Sequence, residues 1–359
     1  MRVLLHLLDT GVGGGRRVAL SVAQELVKRR HEVGFLISTP GQTPEELRAL
    51  TAEVEFVDLG TLRRPQGVVR AARIGRGYDL LYSHSMAPGQ ILGEIVARLA
   101  RRPHVVHQHT FPVFSGRRSV RTVQTVLYRR SLAHTRFIAV AEHVRRGLIE
   151  VGVRPNGIVV VPNGVRIPEV QGTPARAEGP VRVGMLGRYD PGKGMSTFVA
   201  AARSIGDRGE AEFVIGGHPG PFRTYELRLR EEGANAGVKI VEPGEDGEKF
   251  LRDLDVVVIP SRYEGSPLVL LEAMALGKAV IASDIPGIRE VIGPRGAGIL
   301  VSPEDPGALA EAIVSLTGDS QMRLDLGARA RETMAQQYTL QGSLDRIVQI
   351  LEEAGRRYG

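Results

Sequence analysis

The chain has 359 residues, 42% hydrophobic and 24% charged, with a net charge of +7 and no cysteine. That length exceeds a single typical core and points to two domains. The missing cysteine excludes disulfides, thiolate nucleophiles and cysteine-based zinc sites, as expected of a cytoplasmic protein. No apolar stretch reaches the roughly 18 residues of a membrane span, and the opening MRVLLHLL reads as a strand rather than a signal peptide.

Short apolar runs alternate with helical stretches, the signature of stacked βα units around a parallel sheet. Strands are predicted at 3–8, 32–38, 54–59, 79–84, 104–109, 136–141 and 158–162, with helical patterns between them at 16–30 and 89–102. A second series follows at 181–187, 212–217, 238–243, 256–260, 279–283 and 297–301. Between the two series, RIPEVQGTPARAEGP (166–180) has the Pro, Gly and Ala content of a linker and no periodicity. The last twenty residues form one amphipathic helix pattern. Residues 1–170 carry 25 Lys and Arg against 13 Asp and Glu, while residues 171–359 carry 22 against 27. Such asymmetry fits two units with different partners: the basic half suits an anionic partner or is a solvated arginine-rich surface.

GRYDPGKG (187–194) follows a predicted strand and precedes a helix. It is nearly the phosphate loop of an ATPase, but that loop needs Ser or Thr after its lysine to hold Mg²⁺, and here Gly194 follows. What remains is a glycine loop at a strand end bearing two cations, Arg188 and Lys193. Two cations beside a flexible backbone suit a diphosphate, above all a departing one; a plain turn with exposed charges is the bland alternative.

PSRYEGSPLVLLEAMALG (260–277) places Glu264 in a loop, Ser266 as an expected N-cap and Pro267 as the expected first helical residue. The free N–H groups at Ser266, Leu268 and Val269 favour an anion, helped by the helix dipole. Acids near such a site accept from hydroxyls, and sugar and ribose hydroxyls are natural donors. Glu272, flanked by LVLL and AMAL, is expected to be buried and partnered. Asp253 and Asp255 mimic a metal-binding Asp-x-Asp, but their place at the start of a strand argues against it.

These stretches resemble the retaining glycosyltransferases of family 4. Glu264 and Glu272 match their Glu-x7-Glu, GRYDPGKG their Gly-Arg…Lys-Gly loop, VPNGV (161–165) their strand-end Asn-Gly, and GVGGGRRVALSVAQELVKRRHEV their N-terminal glycine loop and first helix. The resemblance implies a GT-B fold: two Rossmann-like doubly wound parallel-sheet domains facing a cleft, with the C-terminal helix crossing back to the first. The implied boundaries are an acceptor domain at 1–168, a linker at 169–180, a nucleotide-sugar donor domain at 181–338 and the returning helix at 339–359. It implies that Arg188 and Lys193 hold the diphosphate and stabilise it as it leaves. Glu264, with Gly265, Ser266, Pro267 and Leu268, would take the donor sugar, and Glu272 the ribose. Gly14, Gly15, Gly217 and Asn163 would line the donor. A histidine lies near the donor's anomeric carbon in the family; His109 fits best and His107 second.

The implied activity is metal-independent, retaining transfer of a hexosyl or N-acetylhexosaminyl group from a UDP-, GDP- or ADP-sugar, with no required cofactor. The acceptor hydroxyl would belong to a glycan, a lipid-linked carrier or a small molecule, as in polysaccharide biosynthesis. Three departures from the family pattern are Arg166 for a usual Asp, GGHPG (216–220) for a Gly-acid-Gly turn, and Ala141 for a common Ser. The arginine-rich amphipathic stretch 117–132 could lie on an anionic membrane, placing the protein peripherally on the cytoplasmic face, or pack as an ordinary surface helix. It lacks an aromatic platform for nucleic acid. A nucleotide-sugar epimerase of the same fold and a non-catalytic nucleotide-sugar binding protein are the alternatives.

Overall fold

The computed structural model describes residues 1–7, 13–38, 45–51, 53–57, 65–84, 87–110, 135–169, 179–206, 211–220, 222–242, 244 and 246–356. They form two compact units, Met1–Asn163 with Gln341–Gly359, and Gly164–Leu340. The basic stretch 117–132 lies outside the described residues.

The first unit is built on β1 (Arg2–Leu7), β2 (Glu32–Ile37), β3 (Val54–Phe56), β4 (Leu80–His84), β5 (His104–Gln108), β6 (Arg136–Ala139) and β7 (Ile158–Val160). Their order is β3-β2-β1-β4-β5-β6-β7, and every pairing is parallel. The second unit has β8 (Val181–Arg188), β9 (Ala211–His218), β10 (Val238–Val241), β11 (Val256–Ile259), β12 (Ala279–Ser283) and β13 (Ile299–Val301). Their order is β10-β9-β8-β11-β12-β13, again all parallel. All thirteen predicted strands are found. Both sheets are doubly wound, which is the Rossmann-like architecture expected of each unit.

The central strands of the second sheet read as nearly unbroken apolar runs because both faces are covered. In the second unit Val256, Val258, Ala279 and Ile281 face one core with Phe198, Ile205 and Ile313. Their neighbours Val257, Ile259, Val280 and Ala282 face the other, with Leu271, Met274 and Ile288. The alternation is the two-residue period of a strand, with an apolar side chain at every position because neither face meets water.

The helix Leu340–Arg356 follows the second unit in sequence but its residues from Gln341 onward belong to the first. It buries Leu344, Ile347, Val348, Ile350 and Leu351. Its polar face meets the first unit through Arg29 with Asp345, Glu352 with His31 at 3.1 Å and Glu353 with Arg136 at 3.1 Å. Five large apolar side chains at about 1.5–3 kcal/mol each amount to as much as the net stability of a whole domain.

One buried group ties the first unit's stability to pH. His6 on β1 is fully buried, with Nε2 2.7 Å from Ser38 Oγ and Nδ1 3.2 Å from Ser83 Oγ. Burial, reinforced by the nearby His104, pushes its pKa down to about 3. The unfolded chain therefore takes up the proton first as pH falls, so stability is complete above the ordinary imidazole value of about 6.5 and is lost below it. Thermal melts from pH 7 to pH 5 are expected to show a loss of roughly 1.4 kcal/mol per pH unit from this group. His6→Gln should give a shallower acid-side slope.

Candidate functional site

In the second unit the chain order reverses between β8 and β11, and the C-terminal ends of these adjacent strands carry the two loops singled out in the sequence. Such a switch point leaves a crevice above the sheet edge. β8 ends at Arg188. Asp190 then organises a tight turn: its Oδ1 accepts from the Gly192 N–H at 2.8 Å, and its carbonyl accepts from the Lys193 N–H at 2.9 Å. Gly194, at φ +72°, turns the chain into the helix Met195–Ile205. A Cβ there would sit 1.8 Å from the Pro260 carbonyl oxygen, so only glycine lets this loop lie against the loop that follows β11.

Between the two loops, the Arg262 N–H donates to the Gly192 carbonyl at 2.9 Å. The Lys193 ammonium donates to Glu264 Oε1 at 2.8 Å, and the Ser261 hydroxyl donates to the same oxygen at 2.8 Å. The Glu264 side chain is mostly buried and that of Lys193 is 30% exposed. Gly287, in the first turn of the helix Pro286–Ile292, lies so close that a Cβ would fall 2.3 Å from the Glu264 carbonyl. Arg188 is half-exposed, its guanidinium 4.0 Å from Asp190. The site thus holds one cation already matched to an acid and a second reaching into solvent.

The helix after Glu264 spans Leu268–Ala275. It starts one residue later than expected: Pro267, with ψ 114°, is the cap rather than Ser266, because its extended backbone postpones helical geometry to Leu268. The first-turn N–H groups at Leu268 and Val269 remain at the head of the helix. Gly277 at φ +70° ends it. Glu272 is half-buried, not buried as expected. Gly265, Ser266 and Pro267 are buried. Gly217, at the end of β9, lies against Tyr189, whose ring a Cβ would meet at 2.1 Å, which by itself explains the glycine. Asn163 is buried at the end of the first unit's leading segment, two residues before the bridge between Val165 and Thr339. At the far end of β11, Asp255 Oδ2 accepts from the Arg182 N–H at 2.8 Å, so this carboxylate is occupied in joining β8 to β11.

In the first unit, His109 lies just past β5. Its ring stacks on His107, centroids 4.4 Å apart, and its Nε2 is 2.9 Å from His84 Nδ1 at the end of β4. Gly14 and Gly15 open the helix Gly14–Lys28, and a Cβ on Gly15 would come within 3.3 Å of the His109 ring. Burial pushes His109 down to about 4 and holds His84 and His107 well below the ordinary imidazole value. All three are neutral at pH 7. His107 is fully buried with Nδ1 2.7 Å from the Tyr82 hydroxyl, so His109 is the more accessible of the two candidates. His84, Tyr82 and Ser261 went unnoticed in the sequence. The signal was there for His84, a strand-end histidine like His109.

Residues 12–167 match Glycosyltransferase Family 4, and residues 167–333 match Glycosyl transferases group 1. The chain belongs to the family 4-like glycosyltransferases. A galactosyltransferase of Escherichia coli, the UDP-Gal:alpha-D-GlcNAc-diphosphoundecaprenol alpha-1,3-galactosyltransferase, is 29% identical over 94% of this chain and 92% of its own. An uncharacterized glycosyltransferase of Methanocaldococcus jannaschii is 24% identical over 92% and 93%. In fold, this glycosyltransferase resembles the Anabaena protein HepE, crystallised in complex with UDP, with a TM-score of 0.85, 21% identity and coverage of 98% and 100%. The fold is GT-B. These relatives do not favour the epimerase alternative. Among the described residues of this glycosyltransferase no helix is long and apolar enough to cross a membrane.

The contact between the two loops can be tested without substrate. Gly194→Ala must either stay in the left-handed region, at about 1–2 kcal/mol, and push Pro260 away, or leave that region and part the two loops. Chemical denaturation should show a loss of at least ~2 kcal/mol. Gly187→Ala, whose Cβ would meet only Met195 at 3.7 Å and Lys193 at 4.0 Å, should cost clearly less.

Proposed function

We propose that this glycosyltransferase transfers a sugar from a nucleoside-diphosphate sugar to an acceptor hydroxyl with retention of anomeric configuration and without a required metal. The observation that carries this reading is the pairing of Lys193 with Glu264 at 2.8 Å across the switch point of the second sheet. A cation and an acid held side by side suit the one ligand class that presents phosphate next to hydroxyls. Lys193 and Arg188 would neutralise the diphosphate. Glu264 would accept from sugar hydroxyls, with N–H groups at Ser266 and Leu268 supplying the complementary donors and Gly265 and Pro267 fixing the loop. Glu272 would accept from the ribose, and Gly217 and Asn163 are proposed donor contacts.

In the proposed step the bond between the anomeric carbon and the β-phosphate oxygen breaks, its electron pair leaving with the diphosphate. The acceptor oxygen bonds to the same face of the carbon, and its proton passes to the departing phosphate oxygen. Arg188, Lys193 and the head of the helix Leu268–Ala275 stabilise the developing charge, which is preorganised electrostatic catalysis. The roles of Gly14, Gly15 and His109 in this step rest on the family resemblance.

Among UDP, GDP and ADP, the relatives favour UDP: the Escherichia coli enzyme is named for UDP-Gal, and HepE was crystallised with UDP and with UDP-glucose. The E. coli enzyme's diphosphoundecaprenol acceptor supports a lipid-linked acceptor here. With it goes a place on the cytoplasmic face of an anionic membrane, reached through 117–132.

Thermal melts with UDP, GDP and ADP, with and without EDTA, test the reading. UDP at about 100 times its Kd should stabilise the chain by about 2.7 kcal/mol. EDTA should change nothing, and Arg188→Ala/Lys193→Ala should abolish the shift. With a UDP-sugar and an acceptor, the same double variant should lower kcat by about 10²–10³. Stabilisation only by ATP with Mg²⁺, or by no nucleotide, would sink the proposal.

A further inference from the structure

The transfer reading uses His109 but leaves its surroundings unexplained. His84, His107 and His109 each offer a ring nitrogen, and the three nitrogens lie within 4.8 Å of one another. Nε2 of His84 and Nε2 of His107 are buried with no hydrogen-bond partner among the described residues. A buried polar nitrogen left unmatched is costly, and His107 Nε2, on a ring packed beside two other imidazoles, requires a reason. Ring stacking accounts for the packing but satisfies neither nitrogen. The other nitrogen of His107 is held by the Tyr82 hydroxyl at 2.7 Å, as an outer-shell partner orients a metal ligand.

The chemistry of the set is selective. Three imidazoles without a carboxylate suit zinc, cobalt, nickel or copper and not magnesium or calcium. Burial keeps the rings neutral, which is the metal-binding form. Tetrahedral zinc with Zn–N of about 2.0–2.1 Å needs ligand nitrogens about 3.3 Å apart. His84 Nδ1 and His109 Nε2, at 2.9 Å, are already near that spacing. His109 is half-buried and bordered by Gly15 rather than a larger side chain.

We propose that His84, His107 and His109 bind one divalent transition-metal ion of the Zn²⁺ class, leaving a fourth coordination position open. If His109 serves the donor as proposed above, a bound ion removes it from that role and lowers transfer. This second part rests on the transferase reading; the site itself does not.

The test uses the full chain, stripped with a chelator, exchanged into chelator-free buffer and titrated with CoCl₂, then ZnCl₂. One Co²⁺ per chain is expected, with the visible bands of a four-coordinate nitrogen site, displaced by stoichiometric Zn²⁺. His84→Ala and His107→Ala should each weaken binding at least tenfold, and His218→Ala, outside the cluster, should not. His107→Cys should keep the ion and add a thiolate-to-cobalt band, a gain that a misfolded variant does not produce. No saturable Co²⁺ spectrum in the wild type, or one unchanged in His84→Ala, would overturn the site. Transfer measured with ZnCl₂ and then EDTA should fall and recover. Stoichiometric binding with undiminished transfer would overturn the inhibitory part alone. A chain that binds Co²⁺ but transfers no sugar would count against the transferase reading and leave the site standing.

Discussion

The ion pair between Lys193 and Glu264 is possible only because Gly194 lets one loop lie against the backbone of another. The Pro260 carbonyl occupies the space where any Cβ at 194 would be. Once that contact is made, Arg262 ties to Gly192, Ser261 joins Lys193 on Glu264, and the helix after Pro267 is aimed from a fixed start. The loops come within reach of each other because β8 and β11 are neighbours in the sheet although about seventy residues separate them in sequence. Sheet order, a glycine and one ion pair therefore act in series, and the chemistry of the loops depends on all three.

The two sheets share a winding plan and differ in what they place at their strand ends. In the second unit the ends carry charges that attract anions and hydroxyls. In the first, β4 and β5 end in imidazoles whose burial holds them neutral. Family membership explains the common plan. The side chains at each switch point decide what each unit can bind, in keeping with the rule that function resides in sites set on folds.

The strands were legible in the sequence because parallel strands covered on both faces are mostly apolar along their runs. Arg188, Lys193 and Glu264 were legible as residue types at strand ends. Their mutual contact was not, since no local spacing reports which strands adjoin. The same reason hid His84: its approach to His109 follows from β4 pairing with β5. Ser266 was misread as a cap because Ser-Pro suits the first turn of a helix in general, whereas here the proline's own extended backbone postpones the turn by one residue. Glu272 was expected to be buried from its apolar neighbours in sequence, but a helix turns each residue by about 100° and flanking residues do not share its face.

The helix Leu340–Arg356 completes a core whose other parts were laid down before residue 164. During synthesis the first sheet is therefore exposed on one flank while the whole second unit is being made. The second unit is contiguous in sequence, so all of its residues are translated before the first unit has its last helix. Completion of the first unit thus waits until the second has been translated, and the apolar surface awaiting that helix is a part of the nascent chain in need of protection from aggregation.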